Sequence, residues 1–303
     1  MPTTRTPPAD IRRMLREEVG FGCPICRKPF LEYHHFDPPW HEAKTHNPDG
    51  MIALCVECHR QAGAGAYSKA HLRDLKGQEY SLDSVKARFP WANSDIVYRV
   101  GGNYVGNEGL VLTIEDENLI ELKRGPGGLL LLSMDVRAAD DKVIARIRDN
   151  DFEAQPDDLH DLEVNTGSTR VKIWFGKRKL GLDLSFKRIT MSDLQARLEA
   201  DNPDANMLRC MQEHGDLPED SRRAFLEHFQ DDPVRDVVLQ WAREHFPAED
   251  PEIPFLDFKR LETHKCGYHV SVRHGVRING PSIVDGRCEY NVVLGGGGLL
   301  KLD

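Results

Sequence analysis

Nowhere in the 303 residues does an apolar run approach the roughly 18 residues of a membrane-spanning helix, so no transmembrane span is expected. The opening stretch, Met1 to Asp10, is polar and proline-rich and lacks the apolar core of a secretory signal. A soluble, cytoplasmic protein is expected. Positive charge is not in surplus either: 40 Lys and Arg stand against 49 Asp and Glu, a formal net charge of −9. A chain gripping DNA along its whole length would carry a basic face, because phosphate neutralisation dominates such affinity. No repeat of fixed period and no low-complexity tract is present, which argues against a solenoid or a disordered linker. Gly295 to Gly298 lacks the Gly-Lys-Ser/Thr ending of a phosphate-binding loop. The cysteines number seven, an odd count that argues against a disulfide framework in a chain without an export signal.

What is present suits two or three packed units, since single cores run to about 100–200 residues. Hydrophobic residues at 40% against 29% charged are enough for a core and do not favour disorder. Residues 1–91 hold 13 basic and 11 acidic side chains, a net of +2, whereas 92–303 hold 27 and 38, a net of −11. Within the latter, 191–250 holds 6 and 15, so one stretch of net −9 matches the acidity of the whole chain. Its simplest role is a solvated surface. Nucleic acid, if bound, falls to the head, with a protein partner or activating ligand acting through 92–303.

Local pattern divides the chain into an α+β arrangement. A first helix is expected from an Asp10 cap, with Ile11, Met14, Leu15 and Val19 on one face and Gly20 and Gly22 stopping it. Residues 23–60 read as loop and hairpin, because Pro24, Pro29, Pro38, Pro39 and Pro48 exclude a long helix. A short helix should follow Cys58, and another should run from a Ser68 cap through Leu72 and Leu75 to Gly77. The boundary of the head falls at Phe89-Pro90-Trp91, giving a domain of residues 1–91. Residues 92–190 read as antiparallel β. Leu180, Leu182, Leu184 and Phe186 alternate with Gly181, Asp183 and Ser185 as in a half-buried strand, and Val171, Ile173 and Phe175 alternate similarly before the turn Gly176-Lys177-Arg178. Leu129 to Leu132 suggests a central strand. An acidic helical segment follows over 191–250, with Asp232-Pro233 opening a helix whose stripe is Val234, Val237, Val238 and Trp241. Residues 251–303 return to β, with turns at Asn279-Gly280-Pro281 and Gly295 to Gly298, and should complete the sheet begun near residue 95.

The chemistry concentrates between Cys23 and His59. Cys23-x2-Cys26, 28 intervening residues and Cys55-x2-Cys58 can enclose one tetrahedral zinc, and four protein ligands make that ion structural. The intervening chain contains Tyr33-His34-His35-Phe36-Asp37-Pro38, and His59 directly follows the last cysteine. A zinc that pins both ends would bring His34 and His35 close to His59. One further metal, two imidazole ligands and a free imidazole can hydrolyse a phosphodiester. Adjacent residues of a regular strand face opposite ways, so His34 and His35 share a site only if the strand bends or ends there.

Cys23-Pro24-Ile25-Cys26, His34-His35-Phe36-Asp37-Pro38 and Leu54-Cys55-Val56-Glu57-Cys58-His59 together resemble the HNH endonucleases of the ββα-metal type with a cysteine-bound zinc, over residues 20–76. The resemblance implies that His34 and His59 ligate a catalytic divalent ion such as Mg²⁺ or Mn²⁺, that His35 is the general base, and that Cys23, Cys26, Cys55 and Cys58 cage the Zn²⁺. DNA is the implied substrate. The family often has an asparagine five residues before the third cysteine, holding the loop and orienting the base; Gly50 stands there here, and Asn47 is the candidate orienter from a shifted turn. Similar heads in bacterial restriction and anti-phage systems sit on recognition or sensor domains, which by analogy assigns 92–303 to regulation or target choice. A non-catalytic zinc module docking on DNA or a protein partner is the alternative. His41 and His46 are expected at the surface or behind the ligands. His264-x-Cys266-x2-His269 with His274 matches no common metal spacing, and Lys177-Arg178-Lys179 reads as a solvated turn.

Overall fold

The computed structural model describes residues 4–80, 84–91, 95–101, 103–106, 111–114, 117–138, 140–200, 233–249, 251–265, 268–272, 276–279 and 299–302. Among these residues no helix is long and apolar enough to cross a membrane. The architecture is mixed α and β with a sheet-dominated body. The chain forms two compact units, Met1–Pro90 with Asp135–Asp183, and Trp91–Met134 with Leu184–Asp303. Residues 92–190 are thus shared between them.

The first unit opens with helix α1 (Ala9–Glu18). Asp10, expected as its cap, lies instead in the first turn, where its carboxylate complements the positive end of the helix; Pro8 occupies the position before the helix. Leu15 and Val19 are fully buried and Ile11 packs beside them, whereas Met14 is exposed, so the buried stripe is narrower than its sequence spacing suggests. Gly20, at φ +57°, supplies the left-handed turn that ends the run. Strand β1 (Leu31–His35) pairs antiparallel with β2 (Met51–Cys55), matching His34 to Ile52 and His35 to Met51. Every residue of β2 is buried, as a strand covered on both faces requires. Between them lie a short α-helix, α2 (Trp40–Ala43), and a 3₁₀ turn at Pro48–Gly50.

Helix α3 (Val56–Gly63) begins earlier than expected, before Cys58 rather than after it. The reason is chemical: the Cys55 sulfur accepts the Cys58 amide and caps the helix, so the second cysteine pair is itself the helix start and His59 rides on its first turns. Helix α4 (Lys69–Lys76) follows the sequence closely, with the Ser68 hydroxyl accepting the His71 amide at 3.1 Å and Gly77 closing the helix. Leu72 and Leu75 join Leu15, Val19, Ile52 and Leu54 in the core of the head.

The same unit contains the antiparallel strands Val85–Arg88, Asp151–Ala154 and Val143–Arg148, and the pair Asp161–Val164 with Arg170–Gly176. This last pair meets the head. Phe30 bridges Val164, and the Arg16 guanidinium makes two hydrogen bonds to the Asp161 carboxylate, at 3.0 and 2.7 Å, and one to the Tyr33 hydroxyl at 2.6 Å. Arg16 and Asp161 are both buried, so neither charge has water as an alternative partner.

In the second unit, Ile253–Lys265 pairs parallel with Val97–Val100 and antiparallel with Tyr268–Val272, while Leu299–Leu302 pairs parallel with Val111–Ile114. The late strands therefore extend sheets begun near residue 97, through parallel pairings that the expectation of an antiparallel β domain does not anticipate. Helices Met191–Ala200 and Pro233–His245 pack Leu194, Leu198, Leu239 and Ala242 with Val97, Tyr104 and Phe255. Lys179–Ile189 departs from the half-buried expectation: Gly181, Asp183 and Ser185 are buried along with Leu182 and Leu184. Asp183 tolerates this because Arg170 donates to both its carboxylate oxygens, at 3.0 and 2.7 Å. The turns at Gly280-Pro281 and Gly295 to Gly298, with Cys266 and His274, lie outside the described residues.

Candidate active site

The four cysteines of the head converge. The sulfurs of Cys23, Cys26, Cys55 and Cys58 lie within 4.8 Å of one another, the spacing of a tetrahedral thiolate cage around one ion, and Cys26 and Cys55 approach to 3.4 Å. Burial, with the neighbouring Cys23, pushes the Cys58 thiol up, and burial likewise pushes Cys26 up to about 11. Four sulfurs this close ionise together only around a cation, so the donor set fits a soft divalent metal. Among the described residues no other group of His, Cys, Asp and Glu converges in this way.

The cage ties the end of β2 and the start of α3 to the knuckle at Cys23 and Cys26, which brings His59 against β1. The His34 and His59 rings meet edge to face with centroids 5.1 Å apart. His59 Nδ1 lies 2.6 Å from Glu32 Oε2. A carboxylate accepts, so Nδ1 carries the hydrogen and Nε2 keeps the lone pair that a metal needs. Burial first, then His59, His35 and Arg5, push the His34 imidazole down to about 4, so that it is neutral at pH 7. Glu32 escaped sequence reasoning, although its place two residues before His34 puts both on one strand face.

Strand β1 ends at His35, and the chain folds back so that Phe36 bridges Pro39. That ending lets His34 and His35 line the same cleft of about 420 Å³, together with Arg5, Trp40, His41, Tyr67 and Lys69. His35 is 8% exposed. Burial chiefly, then His46, Arg5 and His59, push its ring down to about 4. Lys69 donates to Asp37 at 2.9 Å, and Arg73 donates to the other oxygen, fastening the loop after His35 to α4.

Gly50 explains the missing asparagine. Its carbonyl accepts the amides of Phe36 and Asp37, at 2.9 and 3.1 Å, so backbone holds the loop directly behind His35. The strands approach so closely there that a Cβ on residue 50 would lie 1.7 Å from the Asp37 carbonyl oxygen. Gly50→Ala, and equally Gly50→Asn, should displace the His35 loop. The displacement should appear as shifted His35 ring resonances in NMR spectra of histidine-labelled protein, with the cysteine cage unaltered. Asn47 does not line the cleft; it is exposed, and its side chain accepts the Asp49 amide at 3.3 Å and caps the turn at Pro48–Gly50. His46 lies within hydrogen-bonding distance of His35, at 3.1 Å between His35 Nε2 and His46 Nδ1.

The site therefore defines a two-stranded hairpin and helix, framed by a cysteine cage and presenting a histidine pair to an open cleft. Residues 23–65 match the family model described as HNH endonuclease. No curated protein and no solved structure matches the chain significantly.

Proposed function

We propose that the head is a metal-dependent HNH endonuclease of the ββα-metal type that hydrolyses phosphodiester bonds of DNA. The reading rests above all on the convergence of His34 and His35 in one open cleft with His59 held against His34. In this reading His34 and His59 would hold a divalent ion, with Glu32 fixing the His59 tautomer, and Cys23, Cys26, Cys55 and Cys58 would hold a structural zinc. When bound, Mg²⁺ or Mn²⁺ polarises the scissile phosphate and offsets charge on the leaving oxygen. His35 takes a proton from water as the water oxygen attacks phosphorus and the bond to the leaving sugar oxygen breaks. Arg5 and Lys69 supply fixed positive charge at the cleft, where a phosphate backbone would lie. The body, net −11 over 92–303, has no surplus of positive charge to hold DNA and suits target choice or control of the head.

The test is nicking of supercoiled plasmid by the zinc-loaded protein. Cleavage is expected with Mg²⁺ or Mn²⁺, to vanish with chelator, and to fall to the metal-free level in His34→Ala and His59→Ala. Folded, zinc-loaded protein that cleaves with no divalent ion would overturn the reading.

A further inference from the structure

Beyond the residues already given roles, we infer that His46 is a positioning residue that fixes the tautomer of His35 through a relay ending on the backbone carbonyl of Thr4. His46 Nε2 lies 2.9 Å from the Thr4 oxygen. A carbonyl oxygen only accepts, so Nε2 must carry the hydrogen, and in the neutral ring Nδ1 then carries the lone pair. That lone pair faces His35 Nε2 at 3.1 Å, so Nε2 of His35 bears a hydrogen and donates it. One lone pair remains on His35, at Nδ1, and that atom becomes the only place where the ring can receive a proton. Each link determines the next, starting from a backbone oxygen that can only accept.

Packing keeps the relay in place. Trp40 stacks on His46 with ring centroids 4.9 Å apart and planes 22° from parallel, and it also lies 5.0 Å from the His35 ring. The usual means of orienting the base is not available here: Gly50 has no side chain to offer, and the Asn47 amide is engaged at Asp49. His46 reaches the base from the same loop, one residue before Asn47. The segment before α1 is thereby part of the site, contributing the Thr4 carbonyl that anchors the relay and Arg5 at the cleft.

The catalytic meaning of the relay rests on the nuclease reading, but the tautomer does not, and the experiment separates the two. Long-range ¹H–¹⁵N correlation spectra of full-length, zinc-loaded protein with ¹⁵N-labelled histidine report which nitrogen of His35 is protonated. The wild type is expected to show the Nε2–H form alone, and His46→Ala a mixture of both forms. His46→Asn, whose side-chain oxygen also accepts, should restore the single form. Cleavage is expected to fall about 10–100-fold in kcat for His46→Ala, the range for losing a group that fixes an imidazole tautomer, with KM for DNA unchanged and partial recovery in His46→Asn. A single Nε2–H form persisting in His46→Ala, or an Nδ1–H form in the wild type, would overturn the relay. A wild type with the expected tautomer but no cleavage under any divalent ion supports the relay and counts against the nuclease reading instead.

Discussion

His35→Ala should lower plasmid cleavage by about 10²–10⁴-fold, the range that a positioned general base contributes, while leaving the fold and bound zinc intact. The expectation follows from where the ring sits. His35 is buried at the end of β1, lines the cleft with His34, and is held by contacts with Trp40 and His46. Its removal takes away a proton acceptor without touching the cysteine cage or the His34–His59 pair. The acid side of the pH profile provides an independent check. An unperturbed imidazole is half protonated near pH 6.5. Here burial, followed by His46, Arg5 and His59, pushes His35 down to about 4, so the basic form is fully present at neutral pH and is lost only as pH falls through that lower value. Cleavage should therefore stay level on the His35 limb well below pH 6.5. A folded His35→Ala protein that cleaves at the wild-type rate would remove the base from the mechanism.

Cys55→Ser should abolish zinc binding and unfold the head. Metal binding contributes about 10–16 kcal/mol of apparent folding energy in small zinc units, as much as the whole stability of an ordinary domain. Cys55 concentrates several functions in one sulfur. It belongs to the cage, lies 3.4 Å from Cys26, ends β2, and caps α3 through the Cys58 amide. The helix it caps carries His59, so the second histidine loses its place when the cage opens. Zinc stoichiometry by elemental analysis should drop from one to zero and the thermal transition of the head should disappear. Retention of one zinc with an unchanged melting temperature would contradict the assigned role of the cage.

The parts of this molecule that were legible beforehand are those fixed by neighbours in sequence. Paired cysteines, the Ser68 cap, the Gly77 stop and the order of the histidines depend on spacings of a few residues, and the cage and α4 agree with them. The start of α3 lies earlier than capping rules place it because a thiol, rather than a hydroxyl or carboxylate, caps it. Glu32 carries no mark in the sequence, and His46, expected at the surface or behind the ligands, stands behind His35 with nothing in the spacing to name that partner. Their importance lies in which nitrogen of a neighbouring imidazole they face, and no spacing rule encodes that. Gly50 departs from the motif in sequence, yet its carbonyl holds the loop; a backbone acceptor leaves no letter in the sequence beyond the small residue that permits the approach. The parallel pairing of Ile253–Lys265 with Val97–Val100 joins segments too distant for any local pattern to register.

The Arg16–Asp161 pair bears on how this protein can be dissected. A fragment trimmed at the apparent end of the head would keep the guanidinium in its closed pocket and discard the carboxylate opposite it, and stranding one member of a buried ion pair costs about 3–5 kcal/mol. Such a piece would misfold or clump for reasons unrelated to catalysis. The smallest fragment with a sound interior is discontinuous in sequence, joining the first ninety residues to a stretch that the ribosome adds only after an excursion through another module.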